Sequence, residues 1–571
     1  MLTRPLDPPV IGAMTPADST EATIGSTWLA ASGRPVDDDL LRWPPDMFAF
    51  TDLILDRAEA YRFVVSPPSG RVWPPASAWP QDVSTAALRW SESTTEQPGD
   101  LPELVAREWG VVRDALDTPL DAVASGRAWR LTQALLTLHA VADEACAGIA
   151  TGTKPPDVGI VLRARSRELL ARTGTISRID PARLRVLPKY RTPNGGITYR
   201  SISRYVSRTG PAVKYGVHTV RTPGRNPASE KLNMLLLPWP LRVSAGDFRP
   251  LPQSIRERDA EPFGFFRYQP SEPFDLSLVD RLLTSAAEHV DQVDAVVLPE
   301  SSVAREDLSG LEAVLSRHGV ALVIAGVRGG SAASDSFGSN SVYFGASLDG
   351  EWWHYPQHKH HRWSLDRSQI EQYHLEEVLD PRVRWWEAIE IERRSVEIIE
   401  RDDGHTIAAL VCEDLAQIDE VADLLRSLGP TLVVALVLDG PQLASRWTAR
   451  YASVLADDPG SAVLTLTSHG MVANAWRDGQ PPSTVVAMWK DNARGLREIK
   501  LDPDAQGILL SLHRHNAIRR AADGRAPDRN SSDLRVSEVT QLHVAHNGRA
   551  RAGWPDRDPT ADEPRITPMK E

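Results

Sequence analysis

Thr406-Ile-Ala-Ala-Leu-Val-Cys412-Glu413-Asp414-Leu415 decides how the second half of this chain is read. An apolar, partly β-branched run leads straight into a cysteine. A helical window comes next at Ile418–Leu428 and closes at Gly429-Pro430. Short apolar runs bounded by polar turns read as buried strands. A cysteine at such a strand-to-helix turn is expected to meet backbone N–H groups and the positive end of the helix, and both favour thiolate. The competing reading is a buried, inert cysteine.

Outward from this stretch the pattern repeats. Leu232–Leu237, Ala295–Leu298, Val320–Val327, Ser341–Ala346, Thr431–Leu438, Ala462–Thr467 and Thr484–Trp489 read as strands. Leu276–Val290, Leu308–His318 and Gln442–Leu455 read as helices between them. Alternating strands and helices predict an α/β layered domain with buried sheets over residues 232–512.

Two further segments carry chemistry. Asp294-Ala-Val-Val-Leu-Pro-Glu300 is an apolar strand ending in a carboxylate. Partial desolvation there raises the carboxyl pKa and makes Glu300 a competent proton acceptor, whereas a helix-capping glutamate is the bland alternative. Trp352 to Trp363 embeds Lys359 among aromatic and histidine side chains and offers a fixed positive charge; a surface lysine is its alternative.

Glu300, Lys359 and Cys412 occur in this order, each at or near the end of an expected strand. Here the sequence resembles the nitrilase superfamily of carbon–nitrogen hydrolases, which carries a Glu–Lys–Cys triad. Leu298-Pro299-Glu300 resembles its Pro-Glu motif, Tyr355 through Lys359 and His361 its Tyr…Lys-x-His motif, and Val411-Cys412-Glu413-Asp414 its nucleophile motif. Asn233–Trp239, Asn340-Ser341 with Asp349-Gly350, Trp447-x-Ala449-Arg450 and Leu464–Gly470 resemble flanking elements. The resemblance covers about half the chain and none of its N-terminal part.

The resemblance implies a four-layer α-β-β-α sandwich of the nitrilase type, often paired as a homodimer. It also implies cysteine-dependent hydrolysis of a non-peptide C–N bond in a small amide or nitrile-type substrate, with no metal and no organic cofactor. Glu300, Lys359 and Cys412 are then the catalytic residues. Glu413, His361, Glu371 and Asp414 are candidates for the oxyanion site and its surroundings. Many family members have a second glutamate soon after the lysine. In this chain an insert, Ser364 to Arg401, separates lysine from cysteine, and Asp366, Glu371, Glu376 and Glu377 compete for that role. The alternative function is a catalytically silent module of the same fold that binds a ligand or partner, as part of a larger assembly through the N-terminal region.

Neighbouring features have quieter readings. His354, His358, His360 and His361 are dense enough to raise a metal site, but packing around Lys359 is the favoured reading. Trp352, Trp353, Trp385 and Trp386 either line an acyl pocket or fill a core, and core is favoured. Gly326–Asn340 reads as a surface loop.

The rest of the chain is read by composition and period. Its 571 residues suggest two domains with irregular segments. Residues 1–27 are weakly patterned and expected to be disordered, with no signal peptide. Met47–Tyr61, Leu101–Leu116 and Ala128–Ile149 predict a mainly helical domain over 28–210. Residues 211–231 read as a linker, 513–544 as a C-terminal extension and 545–571 as a disordered tail. The formal charge of -12 argues against nucleic acid as a main partner. The basic stretch Arg183 to Arg208 reads as a solvated helix face or a packed Arg–Tyr surface. Two cysteines and no bilayer-length apolar run point to a cytoplasmic chain without membrane contact.

Overall fold

Alternation within apolar strands sets the layers. Side chains along a strand point to opposite faces, so a strand buried on both sides feeds two cores. Leu232, Met234 and Leu236 enter one apolar cluster, and Leu235 and Leu237 enter another with the helix residues Leu278, Leu282 and Leu311. Val296 and Leu298 face those helices, while Ala295 and Val297 face the cluster that also holds Ile398, Ala408 and Val434. The structure, a computed structural model, describes residues 22–93, 101–150, 157–193, 196–220, 231–252, 262–330, 337–417, 420–475 and 482–544.

Two seven-stranded sheets result. The first runs, in spatial order, Glu351–His358, Ser339–Leu348, Leu322–Gly329, Ala295–Ala304, Lys231–Leu236, Gly507–Arg519 and Asp528–Leu542. The second runs Arg497–Lys500, Val485–Lys490, Ala462–Leu466, Leu432–Leu436, Thr406–Val411, Ser395–Arg401 and Lys214–Val220. Thr406–Val411 lies against Ser339–Leu348, and Leu432–Leu436 against Ala295–Ala304, so the sheets meet face to face. Helices Leu276–Ala286 and Leu308–Arg317 cover the first sheet, and Trp447–Asp457 packs on the second. The molecule is thus mixed α/β, with thirteen α-helices among the described residues. None of those helices is long and apolar enough to cross a membrane.

A smaller third sheet places part of the site. Its strands lie in the order Ser364–Leu365, Arg384–Glu387, Phe263–Tyr268 and Phe248–Pro250. The insert between lysine and cysteine therefore pairs, in parallel at Glu387↔Phe266, with a strand more than a hundred residues earlier.

Among the described residues before 174 the regular elements are helices, with Pro44–Arg57, Trp79–Ser93 and Glu103–Arg113 packed around Trp129–Ala145. Its connection to the rest differs from the expected linker. Lys214–Val220 is a strand of the second sheet, parallel to Ser395–Arg401, because its alternating apolar residues find a free sheet edge; residues 221–230 lie outside the described residues. Helix Ile24–Ser32, capped by Thr23, begins within the stretch expected to be loose, and residues 1–21 and the tail 545–571 lie outside the described residues. The strand Gly507–Arg519 runs past Leu512 and forms a long hairpin with Asp528–Leu542.

The solvated-face reading of the basic stretch is corrected. Lys189, Arg191, Arg200 and Arg204 are buried. Arg200 pairs with Asp423 at 2.8 Å, Arg191 with Asp533, Tyr190 with Glu400 and Arg204 with Glu144. Asp423, Asp533 and Glu144, distant in sequence, neutralise arginines that local charge alone assigns to water, and Glu400 accepts from the Tyr190 hydroxyl.

Candidate active site

Glu300 stands at an irregularity in its strand. Pairing with Leu322–Gly329 shifts register between Leu298 and Val303, and Ser301 has a φ of 52°. The bulge presses on the neighbouring strand. A Cβ on Gly326 would lie 2.2 Å from Pro299 O and 2.4 Å from Glu300 Cα, so only glycine admits this path.

Lys359 sits just past the end of Glu351–His358, its N–H donating to Asn340 O at 2.8 Å. Its Nζ donates to Glu300 Oε1 at 2.7 Å and to Glu387 Oε2 at 2.6 Å, and all three side chains are buried. Asn340 Nδ2 bridges the same carboxylates, donating to Glu300 Oε1 at 2.7 Å and Glu387 Oε1 at 2.8 Å. Glu300 Oε2 has no hydrogen-bond partner among the described residues, which leaves one acceptor open.

Cys412 comes directly after Thr406–Val411 with a φ of 44°, a left-handed conformation that a non-glycine residue adopts at a cost of about 1–3 kcal/mol. The strand therefore turns sharply at the sulfur. Cys412–Leu415 forms a short 3-10 turn that ends before Ala416, and the described part of the next α-helix is Glu420–Leu428. The expected helix terminus is thus absent from the cysteine, and the expected thiolate bias is corrected. Burial pushes the Cys412 thiol well above its ordinary pKa, Glu300 raises it further, and the Lys359 ammonium with a backbone hydrogen bond at Leu438 opposes them. Burial also raises Glu300, against Lys359 and with Glu387. Burial alone would lower Lys359, but Glu300 and Glu387 hold it well above its ordinary value. At rest the site therefore contains a protonated thiol beside a fixed ammonium.

The other expected neighbours divide. Asp414 Oδ1 accepts from His361 N at 2.9 Å and from His361 Nδ1 at 2.8 Å, clamping the turn after Lys359. Glu413, adjacent to the nucleophile, accepts from Gln417 Nε2 at 3.2 Å. Glu371 does not join the site: it is exposed on helix Arg367–Gln372, as are Glu376 and Glu377 beyond it, while Asp366 caps that helix. The glutamate that reaches Lys359 is Glu387, which sequence reading missed. Its signal is short: Arg384-Trp385-Trp386-Glu387 is a strand-like run ending in a carboxylate, as Leu298-Pro299-Glu300 is.

The histidines disperse. The strand stops at His358, so His360 does not continue the face of His354 and His358. His354 pairs with Glu312 at 2.9 Å and His358 with Glu392 at 3.4 Å. No group of His, Cys, Asp and Glu among the described residues is arranged to hold a metal ion. Of the tryptophans, Trp385 is core and Trp353 is largely exposed.

Cys412 lines a cavity of about 300 Å³ with Trp363, Tyr373, Arg446 and Trp447. Asp439 orders this wall, accepting from Arg446 Nη2 at 2.7 Å, from Trp447 Nε1 at 2.8 Å and from Tyr373 Oη. A second cavity of about 650 Å³ lies on the other side of Trp363, Gln369 and Glu413, which line both.

No family model matches this sequence, and no curated protein matches it. Among solved structures the chain is similar to Nit3 of Saccharomyces cerevisiae, a member of branch 10 of the nitrilase superfamily. Identity is 12% over 48% of this chain and 88% of that one, with a TM-score of 0.31. XC1258 from Xanthomonas campestris, a CN-hydrolase superfamily protein with an arsenic adduct in its active site, is 16% identical over 42% of this chain and 77% of its own, with a TM-score of 0.24. The C. elegans NitFhit protein is 12% identical over 55% of this chain and 61% of its own, with a TM-score of 0.32. The solved structures that this chain is similar to thus include nitrilase-superfamily proteins, matched over 42–55% of its length.

Proposed function

We propose that this chain is a cysteine-dependent hydrolase of a non-peptide C–N bond, an amide or a related group. The observation that carries the reading is the buried ammonium of Lys359 held between Glu300 and Glu387, with Cys412 within electrostatic reach at a left-handed turn. An amide carbon is a poor electrophile and needs a strong nucleophile, which a thiolate is. Glu300 takes the Cys412 proton as the sulfur attacks the carbonyl carbon. Lys359 and the backbone N–H of Glu413 stabilise the oxyanion. Collapse breaks the C–N bond, and the leaving amine takes the proton back from Glu300, leaving a thioester on Cys412. Water then gives a proton to Glu300 and attacks the thioester carbon. The acid departs, and the sulfur recovers its proton from Glu300. Glu387 keeps Lys359 charged and in place throughout.

The hydrolase domain, a four-layer α-β-β-α sandwich, would take in residues 232–512 together with the sheet strands Lys214–Val220 and Asp528–Leu542, with the helices before residue 174 docked against it. A homodimer is part of this proposal, and light scattering tests it. The second reading is a silent binding module, favoured by the elevated pKa of Cys412. Intact-mass spectrometry after incubation with a panel of amides and nitriles decides between them. The hydrolase reading expects an acyl adduct on the wild-type protein that Cys412→Ala abolishes. A protein unmodified by every member, with a thiol that also resists iodoacetamide, would be the binding module.

A further inference from the structure

The third sheet gives the site a second compartment. Along Phe263–Tyr268, Gly264 and Phe266 are buried, whereas Phe263 and Phe265 are half-buried and line the 650 Å³ cavity. Along Arg384–Glu387, Trp385 and Glu387 are buried, Glu387 against Lys359, whereas Trp386 lines the same cavity. Period-two alternation thus lets one strand contribute a carboxylate to the reacting centre and an aromatic wall to the space beside it.

Glu413, next to the nucleophile, Trp363 and Gln369 form a boundary common to this cavity and the one that holds Cys412. Acetamide would fill a small part of either. Cavities of about 300–1,000 Å³, lined mainly by apolar and aromatic groups with a few polar ones, are the size that holds drug-sized ligands. Phe263, Phe265, Trp386 and Ile391 supply an apolar wall beside the polar side chains of His360, His361, Arg362 and Arg384, and Asp366 and Glu413 already accept hydrogen bonds from Gln369 N and Gln417 Nε2.

We infer that the two cavities form one elongated substrate site, whose occupant is an amide with an extended apolar or aryl body rather than a small carboxamide. This rests on the hydrolase reading above. The scissile carbonyl sits at Cys412, and the body of the substrate passes Trp363 and Glu413 to lie against Phe263, Phe265 and Trp386.

The test compares acetamide with 4-phenylbutyramide as substrates of the full-length protein, and measures binding of 4-phenylbutyrate to Cys412→Ala by tryptophan fluorescence. Each methylene that reaches the apolar wall is expected to raise kcat/KM about fourfold, so 4-phenylbutyramide should exceed acetamide at least tenfold. Phe263→Ala and Trp386→Ala, separately, should shrink that ratio and weaken 4-phenylbutyrate binding. In wild type, 4-phenylbutyrate should protect Cys412 from iodoacetamide. Equal kcat/KM for the two amides overturns the inference and leaves the hydrolase reading standing. Binding of 4-phenylbutyrate without protection of Cys412 also overturns it, because the cavities are then separate. If no amide acylates Cys412 but 4-phenylbutyrate binds and protects it, the elongated site stands and the hydrolase reading falls.

Discussion

Lys359 Nζ lies 2.6 Å from Glu387 Oε2, and the two residues reach each other from a strand end of the first sheet and a strand of the third. The contact ties the insert to the reacting centre. Glu387→Gln keeps the shape and removes the charge, so Lys359 loses one of the two carboxylates that hold it ionised and oriented. Activity on any accepted amide should fall on the order of tenfold to a hundredfold. Ammonia release measured beside circular dichroism checks it; wild-type rates in a folded variant would remove Glu387 from the site.

Glu300 must be ionised to take the thiol proton, and burial raises its pKa above the ordinary 4.5. The acid limb of kcat/KM should therefore lie above that of a free carboxylate, with activity lost as pH falls through the raised value. Asn340 donates to Glu300 and favours its ionised form. Asn340→Ala should move the limb to still higher pH. A limb unmoved by the substitution would mean that another group controls it.

Legibility in the sequence depends on the range of each signal. Cys412 directly follows the apolar strand Thr406–Val411, Lys359 directly follows Glu351–His358, and Glu300 closes the apolar run Ala295–Leu298 at the irregularity inside Ala295–Ala304, so a few neighbouring residues identify each. Glu387 depends on pairing with Phe263–Tyr268 far earlier in the chain, and nothing adjacent announces that partner. The protonated thiol was illegible for a similar reason: the helical window after Cys412 is real, but the 3-10 turn Cys412–Leu415 separates its positive end from the sulfur. The basic stretch reads either as a solvated face or as a packed Arg–Tyr surface, and the sequence cannot choose because the partners Asp533 and Asp423 of Arg191 and Arg200 lie hundreds of residues away.

The two cysteines should differ in reactivity. Both are buried, but Cys412 lines a cavity within electrostatic reach of Glu300, whereas Cys146 sits in the apolar core of the N-terminal helices. Iodoacetamide should label Cys412 in the folded protein and spare Cys146 until denaturation. Glu300→Gln removes both the proton acceptor and the charge that raises the thiol's pKa; the proton-acceptor role requires the first effect to win, so labelling should slow. Peptide mapping reads both sites; labelling of Cys146 first, or no effect of Glu300→Gln, would contradict the proton-acceptor role.

His405, which immediately precedes the nucleophile strand, makes the fold sensitive to acid. It is buried, and its two ring nitrogens have no hydrogen-bond partner among the described residues. Burial lowers its pKa from 6.5 to about 3, against Asp403 and with Arg514, Arg401 and Arg191. The folded protein keeps the ring neutral while the unfolded chain protonates it near 6.5. Stability is therefore undiminished above 6.5 and falls as pH drops from there toward 3. Between pH 7 and pH 5 this group alone should remove about 2 kcal/mol. His405→Phe should flatten that part of the pH dependence, read as the difference in urea unfolding free energy at the two pH values. An unchanged difference would mean that the ring already carries a proton in the folded protein.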